Sequence, residues 1–155
     1  MDLNCLLYHL EQTLSDAYRE TDHNTKATEY FQRALIRKNA IQKYCWSYSQ
    51  NFFFDFDFVE QQQKPNYTLA AAFLLFFEVA TPEQALAVGR ILEEKFLKPG
   101  GLTTTLEHSG QQWDAPNGWA PLQWIAYKGL LNYSLTDLAA KLKAKWIAIN
   151  ETVYI

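Results

Sequence analysis

Nine consecutive residues, Leu69 to Phe77, carry no polar side chain. A run of that length is far too short to cross a bilayer, which takes about 20 apolar residues. As a helix it shows hydrocarbon on every face, so other elements must surround it. The next segment has a different character. Thr81-Pro82-Glu83-Gln84 reads as a helix start, with Thr at the N-cap, Pro at the first helical position and Gln ready to reach back. Ala85, Val88, Gly89, Leu92 and Phe96 then form a single stripe, and Lys98-Pro99-Gly100-Gly101 stops the helix. The pair repeats. A mostly apolar helix from about Ala120 to Tyr133 precedes a one-sided helix that Ser134 and Asp137 cap. The stripe of that last helix is Leu135, Leu138, Ala139, Leu142, Trp146 and Ile149. Enclosed helices alternating with one-sided ones predict an all-α fold of helical hairpins, with an inner row and an outer row.

The first third fits the same scheme. Leu3, Leu6, Leu7, Leu10 and Leu14 follow helical spacing, with Asp2 as N-cap. A second helix is expected from about Thr25 to Cys45, on Ala27, Tyr30, Phe31, Ala34, Ile41, Tyr44 and Cys45. Between Asn51 and Val59 the period drops to two: Phe54, Phe56 and Phe58 alternate with Asp55 and Asp57, which predicts a short extended hairpin arm or a structured loop. A chain of 155 residues suits one domain with a real core, residues 1–155, and no second domain. At net charge −3, with Lys and Arg scattered, it has no basic face for nucleic acid, and no segment suits a membrane. His9, His23 and His108 show no ligand spacing, so neither a metal nor another cofactor is expected. Cys5 and Cys45 suit a reduced compartment, with one disulfide also open. The N-terminus lacks a basic and apolar leader pattern, which gives a cytoplasmic expectation.

Thr103 to Gly118 has no period, and a loop of this length in a compact domain is often functional. Its second half runs Ser109-Gly110-Gln111-Gln112-Trp113-Asp114-Ala115-Pro116-Asn117-Gly118-Trp119-Ala120-Pro121. Pro and Gly shape the backbone there, and indoles stand beside amides and a carboxylate. Flat aromatic faces can stack on the C–H groups of a sugar ring while the polar groups bond its hydroxyls. The candidate substrate-binding residues are Trp113, Asp114, Gln112 and Asn117. Trp119, at a helix start, is assigned instead to packing that N-terminus.

The segment Gln112 to Pro121 resembles the second signature of the trehalases, inverting glycoside hydrolases that split α,α-trehalose into two glucoses. Pro99-Gly100-Gly101-Leu102, Thr104-Thr105, Leu122-Gln123-Trp124, Asp2-Leu3-Asn4 and Asp55-Phe56-Asp57 resemble trehalase sequence in the same register. The resemblance implies an (α/α)6 toroid, of which this chain supplies about half. It also implies trehalose or glucose as the ligand. In that family the general acid is an Asp upstream of the Asp-Leu-Asn region, and the general base is a Glu shortly after the last helix seen here. By the resemblance neither position lies in this chain, nor do the first signature, the glucose-gripping Arg residues and the Gly-rich lid. The expectation is therefore a later-central trehalase segment with no catalytic residue of its own.

Inverting hydrolysis needs two carboxyl groups roughly 6.5–9.5 Å apart on opposite sides of the bond. Asp55 and Asp57 would stand about 7 Å apart on one strand face, but they would point the same way and cannot flank a bond. A solvated face or a turn network suits them better. Asp114 lacks an opposed partner, and Glu78 reads as the exit of the apolar helix toward water. Two other readings compete with an inactive trehalase segment. One is a non-catalytic sugar-binding or helical interaction module that self-associates through the open edges of its half toroid. The other is a helical-toroid glycosidase for different glucosides, which the signature loop disfavours.

Overall fold

The computed structural model describes residues 1–154. Six α-helices carry the fold: α1 (Asp2–Glu20), α2 (Asn24–Cys45), α3 (Ala72–Phe76), α4 (Pro82–Ile91), α5 (Ala120–Asn132) and α6 (Thr136–Tyr154). A 3-10 turn, Leu69–Ala71, leads into α3, and a π-helical turn, Leu92–Phe96, ends α4. Short links join α1 to α2, α3 to α4 and α5 to α6, which makes three hairpins. The longer connections carry two-residue antiparallel strand pairs: β1 (Trp46–Ser47) with β2 (Phe52–Phe53), β3 (Phe56–Asp57) with β4 (Gln62–Gln63), and β5 (Leu97–Lys98) with β6 (Gly101–Leu102).

The all-hydrocarbon segment is enclosed as its composition demands: no residue from 69 to 77 is exposed, and Leu69, Leu74 and Leu75 have no accessible surface. It is a 3-10 turn followed by a short helix, not one continuous helix. At its end Glu78 is exposed and adopts φ 53°, which breaks the helix as the chain turns outward. The Thr81 capping box forms as its sequence predicts. Thr81 Oγ1 accepts from the Gln84 backbone N–H at 3.2 Å, and Gln84 Oε1 accepts from the Thr81 N–H at 2.9 Å.

Thr68, just before α3, bridges Thr105, whose neighbour Thr104 donates its N–H to the Asn117 carbonyl near the start of α5, and Asn132 Nδ2 donates to the Phe76 carbonyl at 2.9 Å where α3 and α5 end. These ties make α3 and α5 parallel neighbours. The start of α1 meets the same rim, where the Met1 nitrogen donates to Asp55 Oδ1 at 2.5 Å. Behind the row α1, α3, α5 lies the row α2, α4, α6. Gln42 and Gln84 exchange amide bonds at 3.0 and 2.8 Å, and Lys141 meets Glu93 at 2.6 Å.

Three local expectations change. On α1 the buried residues are Cys5, Tyr8 and Ser15, while Leu7 and Leu14 are half-buried and Leu3, Leu6 and Leu10 are exposed, so the leucine stripe is only partly covered. The segment does form hairpins, but the Phe/Asp alternation does not sort by face: Phe52, Phe53 and Phe54 are all buried and Phe58 is exposed, because two separate tight hairpins share the segment. Ser134 takes φ 59° in the turn, and α6 starts at Thr136. Cys5 and Cys45 are buried free thiols, and desolvation pushes the Cys5 thiol up to about 12.

Candidate functional site

The signature loop lies between β6 and α5, on the rim where the inner helices begin. Backbone bonds stitch it to its surroundings. The Thr104 N–H donates to the Asn117 carbonyl at 3.0 Å, the Leu69 N–H to the Thr104 carbonyl at 2.8 Å, and the Ala115 N–H to the Glu107 carbonyl at 2.8 Å. Pro116 follows a cis peptide bond. At Gly118 the chain passes so close to β6 that a Cβ would sit 2.7 Å from the Leu102 carbonyl oxygen, so only glycine fits.

Gln123 on α5 anchors the base of the loop. It is buried, and its amide grips one residue of β6: Oε1 accepts from the Leu102 N–H at 2.9 Å and Nε2 donates to the Leu102 carbonyl at 2.7 Å. Gln123 is absent from the site residues that the sequence suggests. A polar amide in a mostly apolar helix was the available signal.

Asp114 is half-buried, and its carboxylate turns into the loop. Oδ1 accepts from the Thr105 hydroxyl at 3.0 Å, and Oδ2 accepts from the Ser109 hydroxyl. The same residue's backbone accepts from the Asn117 N–H at 2.9 Å and donates to the Gln111 carbonyl at 3.1 Å. Asp114 thus draws both arms of the loop together. Replacing it with Ala is expected to speed amide hydrogen exchange across residues 107–117 and to cost about 1–2 kcal/mol, less than a buried charged hydrogen-bond pair because the site is partly wet. Asn, which keeps one acceptor, should lose about half as much. Exchange rates unchanged in the Ala variant would refute this role.

Trp113 is 59% exposed, and its indole stacks on that of Trp119 with centroids 4.0 Å apart and planes 15° apart. Trp119 is the N-cap residue of α5, so the helix start carries the lower ring and the loop lays the upper ring over it. The outer face of Trp113 is left for solvent. Gln112 and Asn117 are exposed, and among the described residues neither side-chain amide has a protein partner. Of the four candidates, the fold therefore presents Trp113, Gln112 and Asn117 outward and ties Asp114 inward.

Asp55, Asp57 and Glu107 are each engaged by protein partners. Asp55 accepts from the Met1 nitrogen, and Glu107 accepts from Asn66 Nδ2 at 3.3 Å. Lys64, 2.6 Å from Asp57, and the N–H groups of Glu60 and Val59 pull that carboxyl down to about 2. Only the Asp57 contacts form a turn network; Asp55 and Glu107 are held by residues distant in the chain. Among the described residues no three His, Cys, Asp or Glu side chains are placed to hold a metal ion, and no helix is long and apolar enough to cross a membrane.

Comparison with known proteins finds relatives along the whole chain. The trehalase family model covers residues 1–155. The periplasmic trehalase of Salmonella paratyphi A (strain ATCC 9150 / SARB42) is 39% identical over 154 residues, which span 99% of this chain and 27% of that protein. A putative periplasmic trehalase of Salmonella typhi is similar at the same 39%. The chain thus spans about a quarter of the length of the curated relatives it matches. Neutral trehalase Nth1 from Saccharomyces cerevisiae superposes with a TM-score of 0.84 at 28% identity, over 93% of this chain and 30% of that one. A mannosylglycerate hydrolase from Thermus thermophilus, solved with glucose, shares the fold with a TM-score of 0.80 at 21% identity, over 96% of this chain and 38% of that one. The three hairpins are about half of an (α/α)6 toroid. The cytoplasmic expectation does not stand, because these bacterial relatives are named periplasmic; the lack of a leader pattern was a poor guide to compartment. From its first residue to its last, the chain belongs to the trehalase family.

Proposed function

We propose that this chain supplies the aromatic wall of a trehalase sugar site, in which Trp113 carries one glucose ring and Gln112 and Asn117 bond its hydroxyls. The observation that carries this reading is the stacked indole pair. Trp119 fixes Trp113 from below, so the open face meets a ligand without losing further rotamer freedom. Asp114 serves by holding the loop in shape. The periplasmic naming of the bacterial relatives supports the same compartment for this protein.

The chain by itself is catalytically silent in this reading. Inversion takes a proton donor and a water activator on opposite faces of the bond. The carboxylates of this rim are instead spent on loop contacts. Sugar binding and self-association through the open edges of the half toroid are what remain to the isolated polypeptide.

Calorimetric titration with trehalose, maltose and glucose tests the wall. Trehalose is expected to bind weakly but more tightly than maltose. Trp113→Ala should weaken it roughly fivefold, the equivalent of about 1 kcal/mol of stacking. Equal affinities in the Trp113→Ala and unaltered chains would rule the platform out. A glucose-release assay tests the silence, and trehalose turnover by this polypeptide alone would overturn it.

A further inference from the structure

Two side-chain polar atoms are buried without a protein partner among the described residues: Thr103 Oγ1 and Trp119 Nε1. Thr103 is 2% exposed, and the Trp119 indole is half-buried with its nitrogen turned inward. A buried N–H or hydroxyl with no partner forfeits the bonds that water gave it in the unfolded chain, so folds rarely keep one bare. Here two of them sit at the base of the indole pair.

Both atoms belong to one seam. The Thr104 N–H donates to the Asn117 carbonyl at 3.0 Å, and a Cβ on Gly118 would sit 2.7 Å from the Leu102 carbonyl oxygen. Residues 102–104 therefore run beside residues 117–118, with Thr103 in the middle of one side and Trp119 next along the other. The neighbouring polar groups are taken. Gln123 fills both backbone groups of Leu102, the Thr103 N–H donates to the Phe96 carbonyl at 3.1 Å, and the Thr104 hydroxyl donates to the Asn117 carbonyl at 3.3 Å. What is left over is a donor, the indole N–H, and a hydroxyl able to donate or accept, and the two do not bond each other. Water matches that remainder, since it accepts from the indole N–H while it donates to the hydroxyl oxygen. An apolar ligand would satisfy neither atom, and a cation would oppose the indole N–H.

We infer that an ordered water is seated between Thr103 Oγ1 and Trp119 Nε1 and pins the lower indole of the stacked pair, which makes Thr103 a positioning residue of the sugar platform. The positioning role rests on the platform reading of Trp113; the water site rests on the two buried atoms alone. Stacking at 4.0 Å fixes the spacing of the two rings but does little against rotation of either in its own plane. A bond at Nε1 fixes the lower ring in that plane, and the upper ring, which lies on it, is held for a pyranose without further ordering. Thr103 touches no sugar in this arrangement and lies outside the run from Gln112 to Pro121.

Nuclear magnetic resonance on the unaltered chain tests the water without any substitution. The Trp119 indole proton, assigned by its loss in Trp119→Phe, is expected to show a cross-relaxation peak to a long-lived water. Thr103→Val keeps the shape and removes the hydroxyl. It should abolish that peak, raise the unfolding equilibrium constant roughly fivefold in urea titration, and weaken trehalose binding about threefold. Thr103→Ser keeps the hydroxyl and should restore both the peak and the trehalose affinity. The sign of the stability change is decisive, because a hydroxyl with no partner at all would make the Thr103→Val chain the more stable one. No water peak in the unaltered chain, a peak that survives Thr103→Val, or a Thr103→Val chain more stable than the unaltered one would each overturn the site. A lost peak with trehalose affinity unchanged would overturn the positioning role. Trp113→Ala separates this from the platform itself: unchanged trehalose affinity there removes the platform, while the water peak at Trp119 is read independently.

Discussion

Gly129→Val is expected to cost about 3 kcal/mol or more and to lower the melting temperature by roughly 6–12 °C. Gly129 is buried where α5 passes α3. A Cβ there would lie 2.9 Å from the Leu75 Cβ, 2.9 Å from the Phe76 nitrogen and 3.2 Å from the Ala72 carbonyl oxygen. Two of those three atoms are backbone, so no rotamer change relieves the contact and the helices must move apart. Alanine tests the balance more finely. It gains about 1 kcal/mol of helix propensity over glycine, which offsets part of the clash. Gly100→Ala is the control, because its nearest neighbour would be an Ile149 side-chain carbon at an ordinary 3.6 Å. Urea titration measures all three. A Gly129→Val variant within about 1 kcal/mol of the unaltered chain would contradict the close approach.

Gln123→Met is expected to cost about 2–5 kcal/mol and to release the signature loop from its base. The volume is nearly kept, so packing contributes little. What goes is the double amide grip on Leu102, which leaves a buried N–H and a buried carbonyl without partners, at about 1–3 kcal/mol each. Within the hairpin Leu102 stands opposite Leu97, while the neighbouring Thr103 N–H pairs with the Phe96 carbonyl at 3.1 Å. The two Leu102 groups therefore face α5 and find Gln123 there. Glu at the same position should rescue little, since a carboxylate cannot donate to the carbonyl. Two readouts are needed: urea titration for stability, and near-ultraviolet circular dichroism for the coupled indoles of Trp113 and Trp119. Loss of stability with the indole signal intact would show that the grip does not reach the loop.

Much of the helical plan was legible before any coordinates. The Thr81 start, the stripe on Ala85, Val88 and Gly89, and the enclosure of residues 69–77 all follow from local chemistry. The stripe on α1 was misread for a definite reason. Helical periodicity says which residues share a face, but which face meets a neighbour depends on where the helix stands in the row. On an edge helix the leucines can lie outward while Cys5, Tyr8 and Ser15 pack inward. The faces of the Phe54, Phe56 and Phe58 alternation were misread similarly. Alternation assumes one sheet face, and two tight hairpins with separate neighbours erase it.

The candidate site divides the same way. Its location and residue types were plain in the chain from Gln112 to Pro121, because Pro, Gly, indoles and amides in one run serve no helix or strand. Asp114 could not be placed from that run. Its partners, Thr105 and Ser109, become its neighbours only once the loop has folded back.

The linear order of side chains settled the two-row helical plan, the family and the loop that carries the indoles, because these depend on periodicity and on residue types in close succession. Tertiary structure alone decided which Trp113 face is open, what the Asp114 carboxylate holds, and which leucines face outward. Those outcomes turn on ångström-scale meetings between segments distant along the chain, as when Gln123 reaches back 21 positions to Leu102.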